Sequence, residues 1–308
     1  MKTRVAVSNF SLDLSHFKSF EDLNNSLSKL KDVQSLLPQK KVEFYAGNDI
    51  IEHSGFGLSL IQQLDNFQFM GDLGLKGMLL NTLYQSHLSG FNLSLSTNEL
   101  MVKSGVMPKV GDDAGYIMYV PHLNIARNYK FKGKIEFAAY YEELLSTHPV
   151  SNESYFERAS SHFSNLLYQS ECGETLDRVT DGFCNYSVAF TRCLKALNDL
   201  SPIAERSTLD KIRTIGAKAG YECTEEGESH QNFKYPFDYN NVSYPSLGCQ
   251  YHLKPSGNNY DGDSSFHHKR LYFGFIPLNA EEWKIAVAAI GPHISTHDLT
   301  DRYAKQRR

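Results

Sequence analysis

The chain has 308 residues with a formal net charge of −4, and 41% of them are hydrophobic and 12% aromatic. That is enough for one large core or two ordinary ones, and it argues against disorder; the near-neutral balance leaves no global basic field for nucleic acid, only local patches. Neither a run of about 18 apolar residues nor a signal-peptide core in residues 1–10 is present, and five cysteines without a Cys-Xaa-Xaa-Cys spacing read as reduced thiols, so a cytoplasmic chain with no membrane contact is expected.

In chain order, Arg4-Val5-Ala6-Val7 is a short β-type run. Apolar residues Phe17, Phe20, Leu23, Leu27, Leu30, Val33 and Leu37 then recur at helical steps up to Pro38, and residues 41–45 resume as a strand. The unit is βαβ-like. Residues 53–90 read as two helical pieces joined at Gly71, Gly74 and Gly77. Those glycines invite a phosphate-loop reading but fit neither established phosphate-loop pattern, and helix entry is the plainer one. Tyr116-Ile117-Met118-Tyr119-Val120 is a buried strand stopped by Pro121.

Helices are expected over 134–145, from the Ser151 cap to about 168, over 186–200 and over 209–219. A boundary near Pro149 gives a mixed α/β domain 1–147 and a second domain 148–308. Residues 222–246 are rich in Glu, Tyr, Asn and Ser and read as an exposed loop. Strand-like segments 248–254, 269–276 and 284–290 follow, with Trp283, the only tryptophan, as a packing anchor. The expected class is α+β: an N-terminal βαβ-like region, central helices and a C-terminal antiparallel β meander.

Chemistry concentrates in residues 251–293. If Leu271 and Phe273 face the core, strand alternation puts Arg270 and Tyr272 on the opposite face, with His268 just upstream. His252 and Lys254 share one face of the neighbouring strand, whereas His267 points elsewhere. Such a surface supplies proton donors and acceptors near neutral pH together with fixed positive charge for a phosphate.

Tyr251-His252-Leu253-Lys254, then Lys269-Arg270-Leu271-Tyr272-Phe273, then an apolar strand ending Ile290-Gly291-Pro292-His293, resembles the C-terminal sheet of RelE/HigB-type messenger-RNA-cleaving toxins. The resemblance covers about 45 residues with short, degenerate motifs. It implies RNA cleavage without metal or cofactor, Arg270 on the phosphate, His293 near the terminal catalytic position, and a role in growth arrest or phage defence. The catalytic set expected on this basis is His252, His268, Arg270, Tyr272 and His293, with Lys254 and Lys269 binding substrate. The chain departs from the resemblance in its length, its polar loop and a basic tail beyond His293.

Three other constellations compete. Glu225, Glu226, Glu228 and His230, with the later histidines, are a metal-ligating alternative without tight helical spacing. Asp112-Asp113 with Lys134 and Glu136 resembles a metal-nuclease pattern in reversed order, and turn formation accounts better for the aspartates. Arg158 and His162 lie one helical turn apart and resemble the Arg/His helical pair of some ribonucleases, at a spacing one residue tighter. The non-enzymatic alternative is a module that binds RNA or DNA through its basic strands and tail (Lys305, Arg307, Arg308) and a protein partner through its N-terminal half.

Overall fold

A computed structural model of the protein describes residues 2–12, 17–35, 42–54, 57–66, 73–109, 112–121, 129–147, 151–226, 231–255, 268–296 and 298–304. The chain divides into two compact units, Met1–Leu144 and Leu145–Arg308. The fold is α+β, with a parallel sheet in the first unit and a mainly antiparallel one in the second. Among the described residues no helix is long and apolar enough to cross a membrane.

The first unit opens with β1 (Lys2–Val7), α1 (Phe20–Ser35) and β2 (Val42–Ala46), and β1 and β2 pair in parallel as a βαβ unit requires. Leu23, Leu27, Leu30 and Val33 recur on one stripe of α1 and are buried, which is why the helix forms; it packs against the turn at Leu83–His87. Glu21 and Asp22 favour its positive end. Next come α2 (Leu60–Asn66), α3 (Leu73–Thr82), α4 (Thr97–Lys103), β3 (Ala114–Tyr119), β4 (Lys130–Phe131) and α5 (Lys134–Thr147). The strand order is β2-β1-β3-β4.

Both faces of this sheet are covered, as parallel sheets demand. Ala6, Tyr116 and Met118 cluster with Leu100 of α4 on one face. On the other, Gly115 leaves room for α5: a Cβ there would stand 2.8 Å from the Tyr140 hydroxyl. Helix α4 is an addition to the expected elements, and its signal is local: Ser96 and Glu99 form a reciprocal capping box. Gly74 and Gly77 lie inside α3, so they form no phosphate-cradling loop; Gly71 lies outside the described residues.

The second unit runs α6 (Asn152–His162), β5 (Leu167–Tyr168), α7 (Ser187–Leu200), α8 (Thr208–Ala219), β6 (Cys223–Glu225), β7 (Lys234–Tyr239), β8 (Val242–Gly248), β9 (Tyr251–Leu253), β10 (Lys269–Pro277) and β11 (Trp283–Pro292). The main sheet has the order β5-β11-β10-β9-β6, and β7-β8 is a separate hairpin. Strands β9, β10 and β11 are the expected antiparallel meander.

Two expectations are corrected. The helix from Ser151 stops at His162 rather than near 168, because Leu167 and Tyr168 pair in parallel with Ala286 and Val287. The stretch 222–246 is no loop but holds β6, β7 and β8. Its turn is Asn240-Asn241, with φ of 50° and 64°, the conformation that matches the twist of a two-residue hairpin. The hairpin packs on β10, and Gly274 permits the approach: a Cβ there would lie 2.5 Å from the Gly248 carbonyl oxygen.

Leu271, Tyr272 and Phe273 are consecutive on β10 and all fully buried, so both sheet faces are covered. Each such side chain contributes about 1.5–3 kcal/mol of burial. Tyr272 packs with Phe233, Ile276 and Ile294 on the hairpin side. On the other side, the Lys211 ammonium of α8 sits 3.4 Å from the centroid of the Trp283 ring and 5.0 Å from that of Phe275, a cation–π seat that makes Trp283 an anchor.

Candidate functional site

The site is built by register. Strand β10 sets Tyr272 opposite His252 of β9, and β6 sets Thr224 opposite His252, so these three side chains line up on one face. Period-two alternation along β6 places Glu222 and Glu226 on that face too, and along β9 it adds Lys254. The contacts follow this grid. Thr224 Oγ1 is 2.9 Å from His252 Nε2. Glu222 holds Lys254 at 2.9 Å. Glu226 Oε1 lies 3.3 Å from His293 Nε2 and 3.6 Å from His252 Nε2.

The rings close the cluster. Tyr272 is 5.2 Å from His252 and 6.3 Å from His293 between centroids, and its hydroxyl oxygen accepts the Ile294 backbone N–H at 3.1 Å. Arg270, two residues before Tyr272 on the same strand, is 8% exposed and donates through Nη1 to the Lys269 carbonyl at 2.9 Å. The last pair of the β10–β11 ladder is Lys269 with Pro292, so His268 and His293 are the next residue on each strand. His268 is exposed.

Burial and one cation set the electrostatics. His252, 1% exposed, is pushed down to about 3 by desolvation first and by Arg270 second. His293 is also lowered, by burial and then Arg270, with Glu226 pulling the other way. Burial lowers Arg270 itself, against the support of Tyr272, Glu226 and Glu222. Burial raises Tyr272, which stays protonated. Near neutral pH the face therefore carries two neutral imidazoles, a buried guanidinium and a phenol.

The accessible part of this cluster is narrow. The side chains of His293 and Glu226 are 18% and 28% exposed. A neutral imidazole beside a carboxylate is a proton acceptor held in place, and Arg270 is the positive charge behind it. His252 and Tyr272 are too deeply buried to meet a substrate, so they position the others.

Lys269 has a different place from the one expected. It is 1% exposed and forms an ion pair at 2.9 Å with Asp181, itself 3% exposed. The Tyr186 hydroxyl donates to the same carboxylate, and the lysine ammonium lies 5.0 Å from the tyrosine ring centroid. Alternation puts Lys269 on the opposite face from Arg270. It is a buried structural pair rather than a substrate contact.

Of the competing constellations, the metal-ligating one brings Glu226 to within 3.6 Å of His252, and Arg158 and His162 stay one turn apart on α6. Glu225 is exposed on β6, 3.5 Å from Gln250 Nε2, while Glu228, His230 and His267 lie outside the described residues. Among the described residues, no group of three His, Cys, Asp or Glu side chains is placed to hold a metal ion. Asp112 accepts the Lys109 backbone N–H and Asp113 pairs with Arg4, as turn and strand-end residues do. Arg158 is buried within α6. The basic tail lies outside the described residues.

As members of the histidine face, Glu226 and Thr224 escaped the sequence reading, which placed Glu226 only among metal-ligating candidates, and so did Asp181 as the partner of Lys269. For the first two a signal existed: Glu222-Xaa-Thr224-Xaa-Glu226 is an alternating polar run facing His252-Xaa-Lys254. No protein-family model, curated protein or solved structure matches the chain.

Proposed function

We propose that the chain is a cytoplasmic effector of the toxin or phage-defence type that cleaves RNA without a metal ion. The observation that carries the reading is the His293–Glu226 contact of 3.3 Å at the open edge of the face that holds Arg270. His293, kept neutral by burial and by Arg270, accepts the proton of a ribose 2′-hydroxyl, and Glu226 steadies the imidazolium that forms. The 2′-oxygen attacks phosphorus and the bond to the 5′-oxygen breaks. His268 gives that leaving oxygen a proton, so the products are a 2′,3′-cyclic phosphate and a 5′-hydroxyl. Arg270 and Lys254 offset the charge that builds on the phosphate, each well-placed donor contributing about 3 kcal/mol. A protein partner for the N-terminal unit remains part of the proposal.

The test is incubation of purified protein with end-labelled RNA and DNA, with and without chelator. Chelator-resistant cleavage of RNA to cyclic-phosphate ends, lost in His293→Ala and His268→Ala, is the expected result. Cleavage that needs a metal, or that proceeds equally on DNA, sinks the mechanism. Salt-sensitive binding without turnover hands the face to the non-enzymatic reading, a nucleic-acid-binding module.

A further inference from the structure

A second feature of the C-terminal unit lies apart from the histidine face. A cavity of about 110 Å³ is walled by the turns after β5, by β7 and β11, and by the segment after β11. Four charged side chains line it: Glu171, Glu174, Arg178 and Arg302. Among the described residues none of the four forms an ion pair. Two carboxylates and two guanidiniums thus face one small space without neutralising each other.

The arginine side is held ready. The Arg302 guanidinium carbon stands 4.0 Å from the centroid of the Tyr235 ring, and one Nη donates to the Lys234 carbonyl at 3.0 Å. Stack and hydrogen bond together fix the guanidinium plane at the cavity wall. Arg178 lies 6.0 Å from the Tyr303 ring centroid. Burial pushes both phenols above their ordinary range, so both stay protonated at the wall.

The geometry points to a binding site for a small zwitterion, a free α-amino acid whose carboxylate meets Arg302 and Arg178 and whose ammonium faces Glu171 and Glu174. Size limits the ligand. A cavity of ~150 Å³ takes benzene, so this one suits roughly four to five heavy atoms, the size of glycine. A simple anion would meet the two carboxylates, and a simple cation the two guanidiniums. Only a ligand carrying both signs satisfies all four charges.

Calorimetric titration of the full chain with glycine, and separately with acetate, methylamine and inorganic phosphate, tests this. Saturable binding of an amino acid in the millimolar range or tighter is expected, with acetate and methylamine each weaker by about tenfold or more. Arg178→Gln and Glu174→Gln alter exposed side chains and should keep the ligand-free melting temperature while each weakens binding about tenfold. Absence of amino-acid binding overturns the proposal. So does binding of acetate or phosphate as tight as that of glycine, or full affinity in both variants.

Discussion

Each unit carries an arginine on a strand near a tyrosine, and the two are used in opposite ways. In the parallel sheet, Arg4 sits in register between Glu43 and Tyr116. Its Nε donates to Glu43 at 2.9 Å, Nη1 to the Tyr116 hydroxyl at 2.8 Å and Nη2 to Asp113 at 3.0 Å. Burial alone would lower its pKa, but the hydrogen bonds to Glu43 and Tyr116 outweigh it and the net shift is upward. Lys2 and Arg4 in turn hold Glu43 below the usual carboxylate range. In the antiparallel sheet, burial wins at Arg270 and the shift is downward; its field is felt by His252 and His293, both of which it helps to keep neutral. The residue type is the same, but matched carboxylates make Arg4 a fastener, whereas desolvation beside imidazoles makes Arg270 a tuner of proton affinity.

The contrast is open to attack at several points. The largest stability effect is expected at Lys269, the other buried cation of β10. Lys269→Ala strands Asp181 in the interior and should cost about 3–5 kcal/mol in urea unfolding. Unchanged stability with lost RNA cleavage would return Lys269 to the substrate site. Next, Arg270→Gln should lower RNA cleavage by ~10²–10³ with the fold retained by circular dichroism, while Arg4→Gln leaves the rate within about twofold. Similar rates in the two variants erase the distinction.

The third effect is on pH. His252 titrates near 6.5 when unfolded and at about 3 when folded, so the unfolded chain binds the extra proton in that window. This group therefore leaves stability unchanged above about 6.5 and removes about 2 kcal/mol by pH 5. Unfolding midpoints at pH 7 and 5 measure the loss, and His252→Phe should reduce the difference to the part that the lowered His293 leaves. Smallest is Arg4→Met, where Lys2 still holds Glu43 at the surface. About 1 kcal/mol is expected there, seen as a lower urea midpoint without change in slope.

Much of the framework was legible from periodicity alone. The buried stripe of α1 and the strands beside it stand where the apolar steps place them, within a few residues. The shared face of His252, Lys254, Arg270 and Tyr272 follows from alternation, because two-residue spacing is a local property of any strand. What alternation hides is the partner across the sheet. Asp181 is far from Lys269 in sequence, and nothing near either residue announces the pair. Glu226 read as solvated because β6 is only three residues long, too short for its own periodicity to stand out. The full burial of Tyr272 was likewise illegible. It depends on a hairpin whose strands mix prolines and exposed polar residues with the buried Tyr235 and Phe237, so their composition reads as loop.

The parallel pairing of Leu167–Tyr168 with Ala286–Val287 has a consequence for the order in which the molecule comes into being. One edge of the main sheet is made early in synthesis, and its partner strand emerges on the order of ten seconds later at a typical rate of elongation. Until then β10 has β9 on one side only and presents an open row of backbone groups on the other. His293 leaves the ribosome just after that partner strand. A nascent chain stalled or cut before this point holds the guanidinium of Arg270 but neither the imidazole of His293 nor the closed sheet that neutralises it. The histidine face is thus complete only once the whole sheet has been made.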